Sequence, residues 1–349
     1  MIKKSLAALL IGAVSLTTLA GCGSSSSSQE SGKQLVISTW GLSEDLLNEN
    51  IFKPFEEQYG VDVVLETGNN SERLTKLTNN PNSNIDLMYL AESFAEQGIE
   101  SDLFEKLDYS KISSVQELNE KAQTTVERGF GPAYTLNSIG IVVDPSAGIE
   151  INSFEDLWKS ELANKIAIPD ITTTNGPAIL AIASEKAGVD LESDNGEAAF
   201  KELEALKPNV VKTYSKSSDL ANMFSSGEIV EAIAADFAYG TIAKAKPEVT
   251  YVVPENGTYL NFNTININKN SKNKDLAYEF INYALSEEVQ ARAAKNLSDS
   301  PVNKNVELSE EEAKNLSYGE VVDNAKVLNF QYINSQMNTW LDKWNRIMN

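Results

Sequence analysis

The chain has no histidine and one cysteine among its 349 residues. Without histidine, neither a Ser-His-Asp triad nor a Cys-His dyad can be assembled, and no imidazole is available to hold a metal. One cysteine excludes an internal disulfide, even in an oxidising compartment. Basic residues are scarce as well: 29 Lys and Arg face 50 Asp and Glu, a net charge of −21. That balance argues against nucleic acid or an anionic membrane surface as partner. It suits a cationic solute, and it suits a merely solubilising surface equally well. Beyond the first twenty residues no apolar run approaches a membrane span. No internal repeat marks an adhesin or a structural array. Hydrophobic content of 42% fits a soluble globular body.

What is present begins with a leader. Lys3 and Lys4 precede an apolar stretch over residues 6–19, which ends in Leu19-Ala20-Gly21-Cys22. This is a secretory signal pattern, too short to span a bilayer. Its end resembles the bacterial lipobox, which implies cleavage before Cys22 and a diacylglycerol anchor on that residue. The Ser-rich residues 23–33 read as a flexible stalk. The chain is therefore expected on the outer face of a cell membrane, or in a periplasm where an outer membrane exists.

From residue 34 strands and helices alternate. Buried strands are expected over 35–40, 61–66 and 85–90, with helices over 45–59, 71–77 and from 93. A second unit carries an extended run over 138–143, a helix over 153–162 capped by Ser153, a strand over 165–168 and a helix opening near Thr174-Asn175-Gly176-Pro177. It continues with a helix over 197–206, an extended 210–214, a helix over 218–226 and a strand over 230–235. A further extended run covers 259–267, and helices are expected over 274–285, 286–296, 309–316 and 331–348. Such alternation predicts an α/β fold whose parallel strands are covered on both faces. The extended runs near 138 and 262 bracket the second unit. If both cross between lobes, lobe one comprises 34–137 with 265–349, lobe two comprises 138–264, and the cleft between them is the site.

Several segments in this order resemble the solute-binding proteins of ABC importers, in the cluster holding spermidine/putrescine-binding proteins and their thiamine, iron and organophosphate relatives. They include Leu35-Val36-Ile37-Ser38-Thr39-Trp40, Phe52-Lys53-Pro54-Phe55-Glu56, Asn84-Ile85-Asp86-Leu87-Met88, Asn137-Ser138-Ile139-Gly140-Ile141, Ser153-Phe154-Glu155-Asp156-Leu157-Trp158 and Ser300-Pro301-Val302-Asn303. The resemblance implies a type II periplasmic-binding-protein fold, two lobes with two crossing strands that close on ligand by hinge motion. It also implies a monomer that binds a small solute and delivers it to a membrane permease, with no catalysis and no cofactor.

In the polyamine-binding members, aromatic rings flank the methylene chain and carboxylates pair with the ammonium ends. Trp40 falls where that group keeps a Trp. Glu92 and Phe94 occupy the loop of its hydroxyl and aromatic residues, Asp236 and Phe237 lie where it places a Trp, and Gln331 falls near a ligand-touching glutamine. Tyr134 and Tyr259 complete the expected set. Asp236 serves equally as a helix cap, and Glu92 as a first-turn carboxylate. Two departures point elsewhere. Asn261, Phe262 and Asn263 replace an acid, and Thr173 and Thr174 at a helix start replace others, a pattern that suits a phosphate, phosphonate or carboxylate. A polyamine leads, with an anionic or zwitterionic solute, an organophosphate or thiamine among them, as the alternative. A secreted hydrolase is a further alternative, although no carboxylate pair stands in a recognisable motif.

Overall fold

The computed structural model describes residues 33–41 and 43–349. Cys22 and the expected leader lie outside the described residues, as does the stalk up to residue 32.

Segments rich in branched and aromatic side chains form the strands. These are β1 (Lys33–Thr39), β2 (Val61–Thr67), β3 (Leu87–Ala91), β4 (Ala133–Val143), β5 (Ile166–Pro169), β6 (Val210–Tyr214), β7 (Glu231–Ala235), β8 (Thr250–Val252), β9 (Tyr259–Ile267) and β10 (Lys326–Val327). They order as β2-β1-β3-β9-β4-β7-β5-β6, with β8 on β4 and β10 on β9. β1 runs parallel to β2 and β3, and β5 runs parallel to β6 and β7, as strand-helix alternation predicts.

β4 joins the two halves. Its first part, through Ser138, pairs antiparallel with β9, whereas Ile139 to Val143 pair with β7 and β8. Each half has its own apolar filling on both faces of the sheet. In the first half Phe52, Phe55 and Phe280 cover one face, and Leu77, Met88 and Phe104 the other. In the second, Ile168, Leu180 and Phe200 cover one face, and Phe224, Ala234 and Ile242 the other. This is the two-lobed α/β architecture expected from the sequence.

The last helix, Phe330–Met348, departs from the grouping by sequence order. Its Phe330, Ile333, Trp340 and Trp344 share a core with Ile168 and Phe200 of the second half. Amphipathic periodicity shows that a helix has a buried face; it does not show which lobe receives it.

Two expected helices are altered for local reasons. The helix over 45–59 contains a π turn at Asn48–Phe52. Pro54 has no N–H for the carbonyl of Asn50, and Arg292 Nε donates to that oxygen instead, at 2.7 Å. The helix over 153–162 is two short 3₁₀ turns, Phe154–Trp158 and Ser160–Leu162. At its start Asp156 accepts from Ser153 N at 2.9 Å. Continuation fails because Asn209 Nδ2 takes the carbonyls of Leu157 and Lys159, at 2.7 and 3.0 Å. Over 309–316 only Glu310–Ala313 is helical.

Candidate functional site

A cavity of about 640 Å³ opens where β4 and β9 run between the halves. Strand ends supply its walls, as α/β sheets generally do. Trp40 follows β1 and stands edge-on to Tyr89 of β3, with centroids 6.5 Å apart. Tyr89 in turn packs on Tyr134 of β4 at 4.5 Å. Beneath Trp40 lies Arg73, fully buried, its guanidinium 5.0 Å from the ring. Arg73 donates to the carbonyls of Gly68, Ser38 and Tyr89 at 3.0, 3.0 and 2.7 Å. Burial lowers its pKa to about 10. With its donors so engaged, Arg73 props the ring and does not itself line the cavity.

The opposite wall comes from the second half. Asp236 opens the helix Asp236–Ala245 directly after β7, and Phe237 beside it is 59% exposed. Asp236 Oδ1 accepts from Phe237 N at 2.7 Å, and Oδ2 accepts from Ser138 N at 3.3 Å and from Ser317 Oγ. The helix cap is Ala235, so Asp236 is a first-turn carboxylate that lines the cleft and not the cap the sequence allowed. Burial pushes the Asp236 carboxyl up to about 6 against these hydrogen bonds. Behind it a second cavity of about 450 Å³, bounded by Ser138, Tyr239, Tyr251 and Tyr318, shares Asp236 with the first.

Asp299 is a second acid on the lining, in the turn after the helix Glu287–Leu297. Ser298 before it adopts a left-handed φ of 59°. Ser300 after it fastens the turn to β4, its carbonyl accepting from Leu136 N at 3.3 Å and Thr135 Oγ1 at 2.9 Å. Burial and the neighbouring Asp236 charge hold the Asp299 carboxyl at about 7. Among the described lining residues, Asp236 and Asp299 are the charged ones, and no Lys or Arg joins them.

Of the ten residues expected at the site, Trp40, Tyr134, Thr174, Asp236 and Phe237 line this cavity. The other five lie outside the lining. Glu92 turns into protein, where burial raises its carboxyl to about 8 against the opposing charge of Arg128. Phe94 packs with Leu74, Leu90 and Phe104 in the first half. Thr173 spends its hydroxyl on Asp170 O at 2.7 Å, closing its own turn. Tyr259 is buried in the second core, its hydroxyl donating to Glu185 and Lys326 lying 5.5 Å from its ring. Gln331 is exposed on the first turn of the final helix.

The structure adds Tyr89, Asn137, Ser217, Ser218, Asn261, Asn263 and Asp299 to the lining. Asn261 and Asn263 were marked in the sequence as standing in place of an acid, whereas Asn137, between Leu136 and Ser138, carried no such mark. Asp299 sits in a loop without periodicity, where no such signal exists.

The model of bacterial extracellular solute-binding proteins matches residues 50–317. A spermidine/putrescine-binding periplasmic protein of Haemophilus influenzae is 25% identical over 299 residues, 81% of each chain. The putrescine-binding periplasmic protein PotF of Escherichia coli is 25% identical over 330 residues, 86% of this chain and 85% of its own. Among solved structures, an ABC transporter protein of Clostridium perfringens is 76% identical with a TM-score of 0.86, covering 90% of this chain and 100% of that one. The spermidine/putrescine transporter substrate-binding protein PotD of Streptococcus pneumoniae shares the fold at 23% identity and a TM-score of 0.74, over 91% of this chain and 100% of its own. The chain belongs to the bacterial extracellular solute-binding protein family and is the substrate-binding protein of an ABC transporter.

Proposed function

We propose that the solute is an aliphatic polyamine, bound in the 640 Å³ cleft between Asp236 and Asp299 at the charged ends and the rings of Trp40, Tyr89, Tyr134 and Phe237 along the chain. The observation that carries this reading is that both charged lining residues are acids. A cation leaving water needs a partner charge or a π face, and this cleft offers both. The names of the curated relatives, spermidine/putrescine-binding proteins, point the same way. Thr174, Ser217 and Ser218 on the second-half wall favour a second reading, a zwitterion whose carboxylate meets those hydroxyls.

On this reading the protein performs no chemistry. It is exported, cleaved before Cys22 and held by a lipid on that residue beside its permease, acting as a monomer. Lobe one comprises 34–137 with 265–329, lobe two comprises 138–264 with the final helix, and the hinge at β4 and β9 closes them on the ligand. The test is thermal unfolding with putrescine, spermidine, γ-aminobutyrate and an alkylphosphonate in turn. A ligand at a hundred times its Kd adds about 2.7 kcal/mol to the stability of the folded state. Stabilisation by amines alone supports the polyamine. Stabilisation by the phosphonate alone refutes a cation site.

A further inference from the structure

The floor of the cleft is made where the two long strands pair. Thr135 and Asn137 of β4 stand opposite Asn263 and Asn261 of β9, so these four side chains share one face of the antiparallel pair. Leu136 and Phe262, the pair between them, are buried in the core of the first half. A polar ledge in two rungs therefore faces the cavity, and all four of its residues line it.

Asn137 and Asn261 are 7% and 3% exposed. Yet Oδ1 of Asn137 and both Oδ1 and Nδ2 of Asn261 have no hydrogen-bond partner among the described residues. Asn266 of β9 also keeps an unpaired Oδ1 among the described residues, but it donates to Thr264 Oγ1 at 2.8 Å and does not line the cavity, and the buried Asn268 and Asn303 are satisfied. Asn268 donates to Ile85 O at 2.8 Å and accepts from Asn270 N at 3.1 Å, and Asn303 donates to Leu285 O at 2.9 Å. Buried amides are nearly always paired, and leaving one unpaired is costly. Two unsatisfied amides in one rung, both facing the ligand cavity, mark a place that a ligand group completes.

We propose that Asn137 and Asn261 read an interior N–H group of the ligand, so that the cleft selects a polyamine with a secondary ammonium between its ends over a plain diamine of equal length. This rests on the cation reading above and sharpens it. A secondary ammonium carries two N–H donors, and the rung offers two amide oxygens to accept them. Asp236 and Asp299 remain for the terminal ammonium groups. A methylene in the same place would leave both oxygens dry and unpaired, which is how a hydrogen-bonding site rejects an analogue lacking the group.

The test is titration calorimetry of the purified full chain with spermidine and with the α,ω-diaminoalkane having the same number of chain atoms between its terminal nitrogens. Both are repeated on Asn261→Leu and Asn137→Leu. The unaltered protein is expected to favour spermidine by at least about tenfold, and each variant to lose most of that preference by binding spermidine more weakly while holding the diamine. Equal binding of the two ligands by the unaltered protein overturns the proposal and needs no variant to fold. A preference that survives both substitutions overturns it too, because the third charge of spermidine alone would then explain it. If neither amine binds, the cation reading fails, and this inference fails with it.

Discussion

Glu231 lies on β7 with no exposed surface and, among the described residues, no hydrogen-bond partner for either carboxylate oxygen. Burial, helped by the charge of Asp156 and opposed by that of Lys159, raises its pKa from 4.5 to about 8. The folded protein therefore keeps a proton that the unfolded chain releases above the ordinary value. Its contribution to stability is whole below about pH 4.5 and drains away as pH rises toward 8, at about 1.4 kcal/mol per pH unit. About 3 kcal/mol is gone by pH 7, and the loss levels off near 4–5 kcal/mol above pH 8. Glu231→Gln removes this titration while keeping the shape. Glu92, Asp236 and Asp299 also have raised values but titrate in both proteins, so they cancel in the comparison. Urea unfolding of both proteins from pH 4.5 to 9 gives the difference directly from the midpoints at unchanged slope. The variant is expected to gain on the unaltered protein by about 3 kcal/mol between pH 4.5 and 7. A difference that stays constant over that range would refute the reasoning, because it would mean that Glu231 is ionised in the fold or that its proton is of no consequence.

Polyamine affinity is expected to rise with pH between about 5 and 8, since Asp236 and Asp299, held at about 6 and 7, must lose their protons to pair with a cation. Binding isotherms across that range check it, and affinity that falls as pH rises would instead mark an anionic ligand. Gly176→Ala is expected to destabilise the protein by about 1–3 kcal/mol and to weaken ligand binding. A Cβ there would stand 2.1 Å from Asp170 O and 2.5 Å from Ile171 Cα, backbone atoms of the turn that carries Thr174; a thermal midpoint and binding constant equal to those of the unaltered protein would contradict this.

Much of the architecture was legible because burial on both faces of a sheet leaves continuous apolar runs, and strand ends in such sheets fall at the ligand. Trp40 and Asp236 were expected from the family resemblance, and each follows a strand end on the cavity wall. Tyr259 was expected at the site, but it packs in the second core and donates to Glu185. Asn261, two residues on, reaches the cleft. Deciding between such neighbours needs strand register, which the sequence does not state. Thr173 and Thr174 look alike in sequence and differ only in that one hydroxyl closes its own turn. Asp299 depends on a left-handed Ser298 and on Ser300 meeting β4 from far along the chain. The final helix announces its apolar stripe but not its destination.

That destination governs the order of folding. Trp340 and Trp344 are fully buried within the second core, and Asn334 on the same helix donates to Ser93 O of the first half at 2.8 Å. The first half can bury Phe52, Phe55 and Phe280 before the chain is finished. The second cannot close until Phe330–Met348 arrives. A chain emerging from its N-terminus therefore keeps the inserted lobe open at one face to the very end, and a nascent or clipped chain lacking that helix exposes a groove shaped for two indoles.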